Sequence, residues 1–146
     1  MTDIGIVVSR FNGAMTKALY EGVRARLAEC EIPDNTIHTV WVPGAVEIPL
    51  LAQQFARREN IAAVICLGVV VRGETGHYEY VCQQVSNGCQ RVALDFDKPM
   101  IFGVLTTENE EQAWDRIRGS QGHKGREVAD AALEMILLMR EFQIKK

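Results

Sequence analysis

The chain is poor in the residues that usually identify a protein at a glance. Its 146 residues include four cysteines, four prolines and three histidines, with 7% aromatics and a net charge of only −3. Cys30, Cys66, Cys82 and Cys89 form no CxxC pair and have no histidine at ligand spacing, so no metal site and no redox motif is expected. Cys66 lies in an apolar run, and Cys82 and Cys89 are seven apart on one face of a predicted helix. They read as buried free thiols of a cytoplasmic protein. Without a basic excess there is no patch to neutralise phosphates, and Arg57-Arg58 and the Arg24/Arg26 pair read as solvated helix faces. That excludes nucleic acid as a partner. No apolar run approaches the roughly 18 residues of a membrane span, so no membrane partner is expected. The start, MTDIGIVVSRFN, has neither a basic n-region nor a small-residue cleavage site, and reads as a first strand rather than a signal peptide. Repeats, low-complexity tracts and Pro/Ser-rich linkers are missing too. With 47% hydrophobic residues, the chain is expected to form one domain, 1–146, around one core.

What is there alternates. Apolar, β-branched runs at 4–8, 37–42, 62–71 and 100–105 predict four strands. Between and after them, helical spacing predicts helices over 15–30, 49–58, 77–94, 108–117 and 124–141. Pro33-Asp34-Asn35 marks a turn, and Pro49 suits a first helical turn. Continuous apolar strands separated by helices imply a parallel sheet covered on both faces. The expected fold is a single-domain, three-layer α/β/α sandwich with a four-stranded parallel sheet, flavodoxin-like; the pattern leaves the strand order open.

Such sheets bind ligands beyond the carboxyl ends of their strands. There the chain places its unusual residues: Ser9-Arg10-Phe11-Asn12 after the first strand, Pro43-Gly44-Ala45-Val46-Glu47 after the second, and Arg72-Gly73-Glu74-Thr75-Gly76-His77 after Val69-Val70-Val71 of the third. Thr106-Thr107-Glu108-Asn109 follows the fourth. Phe11 suits a stacking platform. Asn12 fits a helix cap as well as a ligand contact, and Glu47 fits a helix-dipole partner as well as a hydrogen bond to a polyol. The Gly73–Gly76 loop opens a helix whose free N–H groups suit an anion. His77 beside it is able to give and take a proton near neutral pH. Arg116 and Lys124 are the cations that a phosphate would need. These residues point to an α/β protein binding a phosphorylated small molecule and leave the reaction open.

Five stretches taken together carry a resemblance: Ser-Arg-Phe-Asn (9–12), Trp-Val-Pro-Gly-Ala-Val-Glu-Ile-Pro (41–49), Gly-Val-Val-Val-Arg-Gly-Glu-Thr-Gly-His-Tyr-Glu-Tyr (68–80), Phe-Gly-Val-Leu-Thr-Thr-Glu (102–108) and His-Lys-Gly-Arg-Glu (123–127). In order and spacing, over nearly the whole chain, the sequence resembles the 6,7-dimethyl-8-ribityllumazine synthase family. The resemblance implies condensation of 5-amino-6-(D-ribitylamino)uracil with 3,4-dihydroxy-2-butanone 4-phosphate in riboflavin biosynthesis, losing phosphate and water, with no metal or organic cofactor. It implies that Phe11 stacks on the pyrimidine and that Glu47, with Asn12 and the Ala45–Glu47 backbone, holds the ribityl chain. Val69, Val70 and Val71 would line the same site. Glu74 and Thr75 would offer N–H groups to the phosphate with Arg116 as guanidinium partner, His77 would shuttle protons, and Lys124 would hold a substrate oxygen. It also implies a homo-oligomer, a ring of five or an assembly of such rings, in which Phe102, Arg116 and Lys124 come from the neighbouring subunit. Riboflavin synthase is the implied partner for the product. Only three residues precede the first strand, which favours a free ring over a shell. Gly76 and His123 stand where the family pattern has a stiffer residue and an Asn, and Arg118 where a small residue is usual; Arg118 is expected to face solvent. The competing readings are an archaeal-type riboflavin synthase, a non-catalytic flavin or lumazine binder, and a shell-forming structural protein.

Overall fold

Runs of Ile and Val without polar alternation cannot face water on either side, so each must lie between helices. The computed structural model, which describes residues 3–120 and 122–144, has that arrangement. Its strands are β1 (Asp3–Ser9), β2 (Ile37–Val42), β3 (Ile61–Val71) and β4 (Met100–Thr107). Its helices are α1 (Gly13–Glu29), α2 (Ile48–Ala56), α3 (His77–Phe96), α4 (Glu110–Arg118) and α5 (Lys124–Ile144), with short 3-10 turns at Asp34–Thr36 and Ala45–Glu47. All strand pairs are parallel and the order is β2-β1-β3-β4. This is the expected three-layer sandwich, with α1, α4 and α5 on one face and α2 and α3 on the other.

The two faces of the central strands pack into two separate cores. Ile4, Ile6, Val8, Ile65 and Leu67 meet Leu19, Val23 and Leu27 of α1 and Ala129 and Ala132 of α5. Val7, Val64 and Cys66 meet Ile48 and Ala52 of α2 and Val85 and Cys89 of α3. Each fully buried Leu or Ile stabilises the fold by about 1.5–3 kcal/mol, and these side chains are at or near zero exposure. Two of the four thiols, Cys66 and Cys89, are in this core; Cys30 and Cys82 are only half-buried, so the expectation of four buried thiols is corrected. Cys30 escapes because it is the residue on which α1 ends.

On the first face, α5 lies directly on α1. A Cβ on Gly125 would stand 2.4 Å from the Leu19 carbonyl oxygen, so only glycine permits this approach. The His123 ring fills the space over Gly22, and its buried Nδ1 has no hydrogen-bond partner among the described residues. At the other end of α1, Glu29 accepts two hydrogen bonds of 2.7 Å from Arg126 and one of 3.1 Å from Arg26. These guanidinium donors hold the Glu29 carboxyl at a pKa of about 2. Of the expected loop 119–125, Gln121 lies outside the described residues. Gly119 and Gly122 pair across it, with Gly122 at φ 103°, and Lys124 and Gly125 already belong to α5.

Element boundaries shift by small amounts from their expected positions. α4 begins at Glu110 rather than 108, because Asn109 is extended and its Oδ1 accepts from the Gln112 N–H at 2.9 Å, capping the helix. α2 starts at Ile48, with Pro49 in its first turn, and stops at Ala56. The strand order places the functional edge. The chain leaves β1 toward β2 on one side, while β3 leads to β4 on the other, so the carboxyl ends of β1 and β3 flank the switch point of the sheet.

Candidate active site

A cleft of about 500 Å³ opens at that switch point, within the range of small-molecule sites. Its walls come from the segments that follow β1, β2 and β3 and from the start of α3.

The β1 exit is tied to both neighbouring strand ends. Arg10 N–H donates to Val42 O at 2.7 Å and Phe11 N–H to Pro43 O at 3.1 Å. Asn12 is left-handed, at φ 60°, a conformation Asn tolerates better than most residues. Its Nδ2 donates to Val69 O of β3 at 2.8 Å. The side chain therefore makes no cap; the carbonyl oxygen of Asn12 accepts the first α1 bonds, from Met15 and Thr16. Thus fixed, Asn12 leaves Phe11 projecting at the mouth of the cleft, 71% exposed.

After β2, the 3-10 turn at Ala45–Glu47 is closed by Glu47, whose Oε1 accepts from the Gly44 N–H at 2.9 Å. That bond orients the half-buried carboxylate along the cleft wall and leaves its second oxygen without a hydrogen bond among the described residues. Val69, Val70 and Val71 form the apolar floor. Beyond them Arg72 turns away. Its Nε donates to Glu108 at 2.7 Å, its Nη1 donates to Glu79 at 2.5 Å, and its guanidinium carbon stands 4.4 Å from the Tyr78 ring centroid. The amides of Gly73, Glu74, Thr75 and Gly76 find no acceptor among the described residues, and His77 N–H reaches Thr75 Oγ1 at 3.3 Å. His77 is the first residue of α3 and its exposed side chain lines the cleft. Tyr78, whose phenol burial pushes up, lines it as well.

Most of the expected residues therefore converge: Phe11, Asn12, Ala45, Val46, Glu47, Val69, Val70, Val71, Thr75 and His77. Glu74 lies on the exposed loop just outside the lining. Phe102 on the edge strand β4, Arg116 on α4 and Lys124 at the start of α5 do not reach this cleft. Arg116 is exposed and makes no ion pair or hydrogen bond among the described residues. Arg118, expected in solvent, is exposed but lies over Trp114 at 4.3 Å. Pro43, Gly44 and Gly73, expected on the ligand edge without assigned contacts of their own, also line the cleft, as do Tyr78 and Val81, which were not anticipated there. Val81 was within reach, since it sits one helical turn from His77 and so on the same face. The cleft lining contains Glu47 and His77 but no Lys or Arg among the described residues.

Fold and cleft together define an open parallel α/β protein with a cleft of small-molecule size at its switch point, walled largely by Val and Ala and lined by one carboxylate, one imidazole and one exposed aromatic ring. Residues 1–140 match the family described as 6,7-dimethyl-8-ribityllumazine synthase. Three curated relatives, each named 6,7-dimethyl-8-ribityllumazine synthase and each from a strain of Coxiella burnetii, are 57% or 58% identical over 141 residues, covering 97% of this chain and 93% of the relative. The chain belongs to the 6,7-dimethyl-8-ribityllumazine synthase family.

Proposed function

We propose that the cleft performs the reaction of this family. As a 6,7-dimethyl-8-ribityllumazine synthase of riboflavin biosynthesis, a transferase, the protein condenses 5-amino-6-(D-ribitylamino)uracil with 3,4-dihydroxy-2-butanone 4-phosphate. Phe11 stacks on the pyrimidine, the free Glu47 oxygen accepts from ribityl hydroxyls beside the 45–47 backbone, and the 69–71 floor excludes water. The exocyclic amine attacks the ketone carbon, and water leaves as the imine forms. Loss of a carbon-bound proton then lets the C–O bond to phosphate break; the resulting enol tautomerises to a ketone, on which the ribitylamino nitrogen closes the second ring with loss of a second water. Each step moves a proton that His77, at the cleft edge, is placed to carry, a contribution of about 10²–10⁴ in rate. The unpaired amides of 73–76 suit the departing phosphate, with Glu74 and Thr75 its backbone donors.

The observation that carries this reading is the division of charge. Among the described residues the cleft has the carboxylate and the imidazole but no cation, while Arg116 stands exposed on α4 without an ion pair or hydrogen bond. A phosphate dianion in an apolar cleft needs a guanidinium. The cations are supplied by a second copy in a cytoplasmic ring of five, whose Arg116, Lys124 and Phe102 close the site over Phe11, Glu47 and His77. Lys124 holds a substrate oxygen there, and product passes to a riboflavin synthase. The chemistry needs no metal and no organic cofactor.

The test mixes purified protein with both substrates and follows lumazine fluorescence against a protein-free control. Rapid formation that requires both substrates is expected. A correctly assembled protein that does not exceed the control refutes the reading and favours a non-catalytic lumazine binder.

A further inference from the structure

The stretch Val-Arg-Gly-Glu-Thr-Gly-His places Arg72 directly after the strand that floors the cleft, yet Arg72 does not face the ligand. Its guanidinium is engaged with other partners through Nε and Nη1. Nε holds Glu108 at 2.7 Å, Nη1 holds Glu79 at 2.5 Å, and the plane lies over Tyr78, while the Arg72 N–H donates to Thr107 O at 2.9 Å. Three elements thus meet at one side chain: the end of β3, the first turn of α3 and the turn from β4 into α4.

Each contact ends on a part of the phosphate-binding apparatus. Glu79 and Tyr78 directly follow His77, so gripping them sets the entry of α3 and the span of the 73–76 loop. Among the described residues that loop is held only lightly: Gly73 and Gly76 are exposed with open space around them, and the loop's one side-chain hydrogen bond is the 3.3 Å contact from His77 N–H to Thr75 Oγ1. Glu108 is registered to α4 through its own backbone: its N–H donates to Gln112 Oε1 at 2.8 Å, while Gln112 N–H donates to Asn109 Oδ1. Arg116 is one turn beyond Gln112 on the same helix face. The line from Arg72 through Glu108 and Gln112 therefore ends at Arg116.

We propose that Arg72 is a positioning residue for phosphate binding, fastening in one fork both the 73–76 loop that faces its own cleft and the helix that presents Arg116. This rests on the reading of the reaction given above. If Arg116 serves the neighbouring subunit, one guanidinium aligns phosphate donors in two adjacent sites. Arg is required because a lysine ammonium cannot grip two carboxylates and stack on a ring at once.

Steady-state kinetics with each substrate varied in turn decide the matter, using wild type, Arg72→Gln, Arg72→Lys and Glu108→Gln, each checked for assembly and melting temperature. Loosening the donors by a fraction of an ångström is expected to raise KM for butanone phosphate about 10- to 100-fold in Arg72→Gln. KM for the ribitylaminouracil stays within about twofold, because Phe11 and Glu47 are anchored through Asn12 and Gly44 instead. Glu108→Gln moves the same KM less, and Arg72→Lys falls between. An assembled Arg72→Gln enzyme with both KM values unchanged overturns the proposal, as does a proportional rise in both, which marks a merely structural role. Should Arg72→Gln not assemble, Glu108→Gln, altered at an exposed turn, decides alone by whether it shifts the butanone phosphate KM selectively. A silent wild type refutes the reaction and the proposal together. An active wild type with indifferent variants refutes only the proposal.

Discussion

Replacing Asn12 by Asp changes one NH₂ group into an oxygen and leaves size and shape intact, which isolates the bond to Val69. In the native protein Asn12 Nδ2 donates to Val69 O at 2.8 Å, across the switch point of the sheet. Asn12→Asp forfeits that bond, worth about 1 kcal/mol, and points a carboxylate at a carbonyl oxygen, adding about 1–2 kcal/mol more. The expected loss is about 2–3 kcal/mol at neutral pH. Two companions separate the backbone contribution. Asn12→Gly also loses the bond but keeps the left-handed φ of 60° at no steric cost, so about 1 kcal/mol is lost. Asn12→Ala adds the left-handed penalty of about 1–2 kcal/mol. Stability should therefore fall in the order wild type, Gly, then Ala and Asp. The introduced carboxyl is better tolerated when protonated, because it then donates to Val69 O; its folded pKa is raised, and the Asp deficit shrinks as pH falls through that value. Guanidinium midpoints at one fixed protein concentration measure this, which removes any concentration dependence that the proposed assembly would bring. An Asp variant as stable as wild type at pH 7, or a Gly variant weaker than Ala, would refute the reasoning.

Further consequences follow from other parts of the molecule. The Glu29 clamp between α1 and α5 has a folded pKa of about 2, below the ordinary 4.5, so its stabilisation is fully present above pH 4.5 and disappears as pH falls toward 2. The melting-temperature gap between wild type and Glu29→Gln should be constant near neutrality and close over that acid window. Gly125→Ala sets a methyl 2.4 Å from the Leu19 carbonyl and must push α5 off α1, costing about 1–3 kcal/mol or more in chemical denaturation. Arg116→Ala should remove about 2–4 kcal/mol of transition-state stabilisation. Its effect should fall chiefly on butanone phosphate, whereas His77→Ala should slow the reaction by about 10²–10⁴ without favouring either substrate; separate kcat/KM values for the two substrates check both.

Much of the fold was readable because the central strands β1 and β3 are near-continuous apolar runs, a pattern that parallel sheets with two covered faces require. Their order was not, since right-handed crossovers from β1 satisfy several arrangements equally. The rule that ligands gather beyond strand ends located the cleft residue by residue from Phe11 to His77. It missed what depends on distant partners. Asn12 read locally as a cap or a ligand contact, yet its side chain bonds Val69 O, 57 residues on. Arg72 stood in the most unusual stretch of the chain without an assigned role, because Glu108, 36 residues away, takes half of its fork. Arg116, Lys124 and Phe102 follow no functional strand end; the charge of Arg116 and Lys124 marked them as phosphate cations, and only the family resemblance marked Phe102. Nothing within one chain brings them to the cleft, so local pattern had no means of pairing them with it.

Mixing two defective subunits tests the shared site most directly. His77→Ala and Arg116→Ala proteins, each with little activity alone, would be unfolded together, refolded in equal amounts and assayed for lumazine formation. A site built between neighbours is intact wherever an Arg116→Ala subunit supplies His77 and an adjoining His77→Ala subunit supplies Arg116. Random assembly places that pairing at about one interface in four, so the mixture should recover about a quarter of wild-type activity. Activity no greater than the average of the two parents would contradict the account and return the whole site to a single subunit.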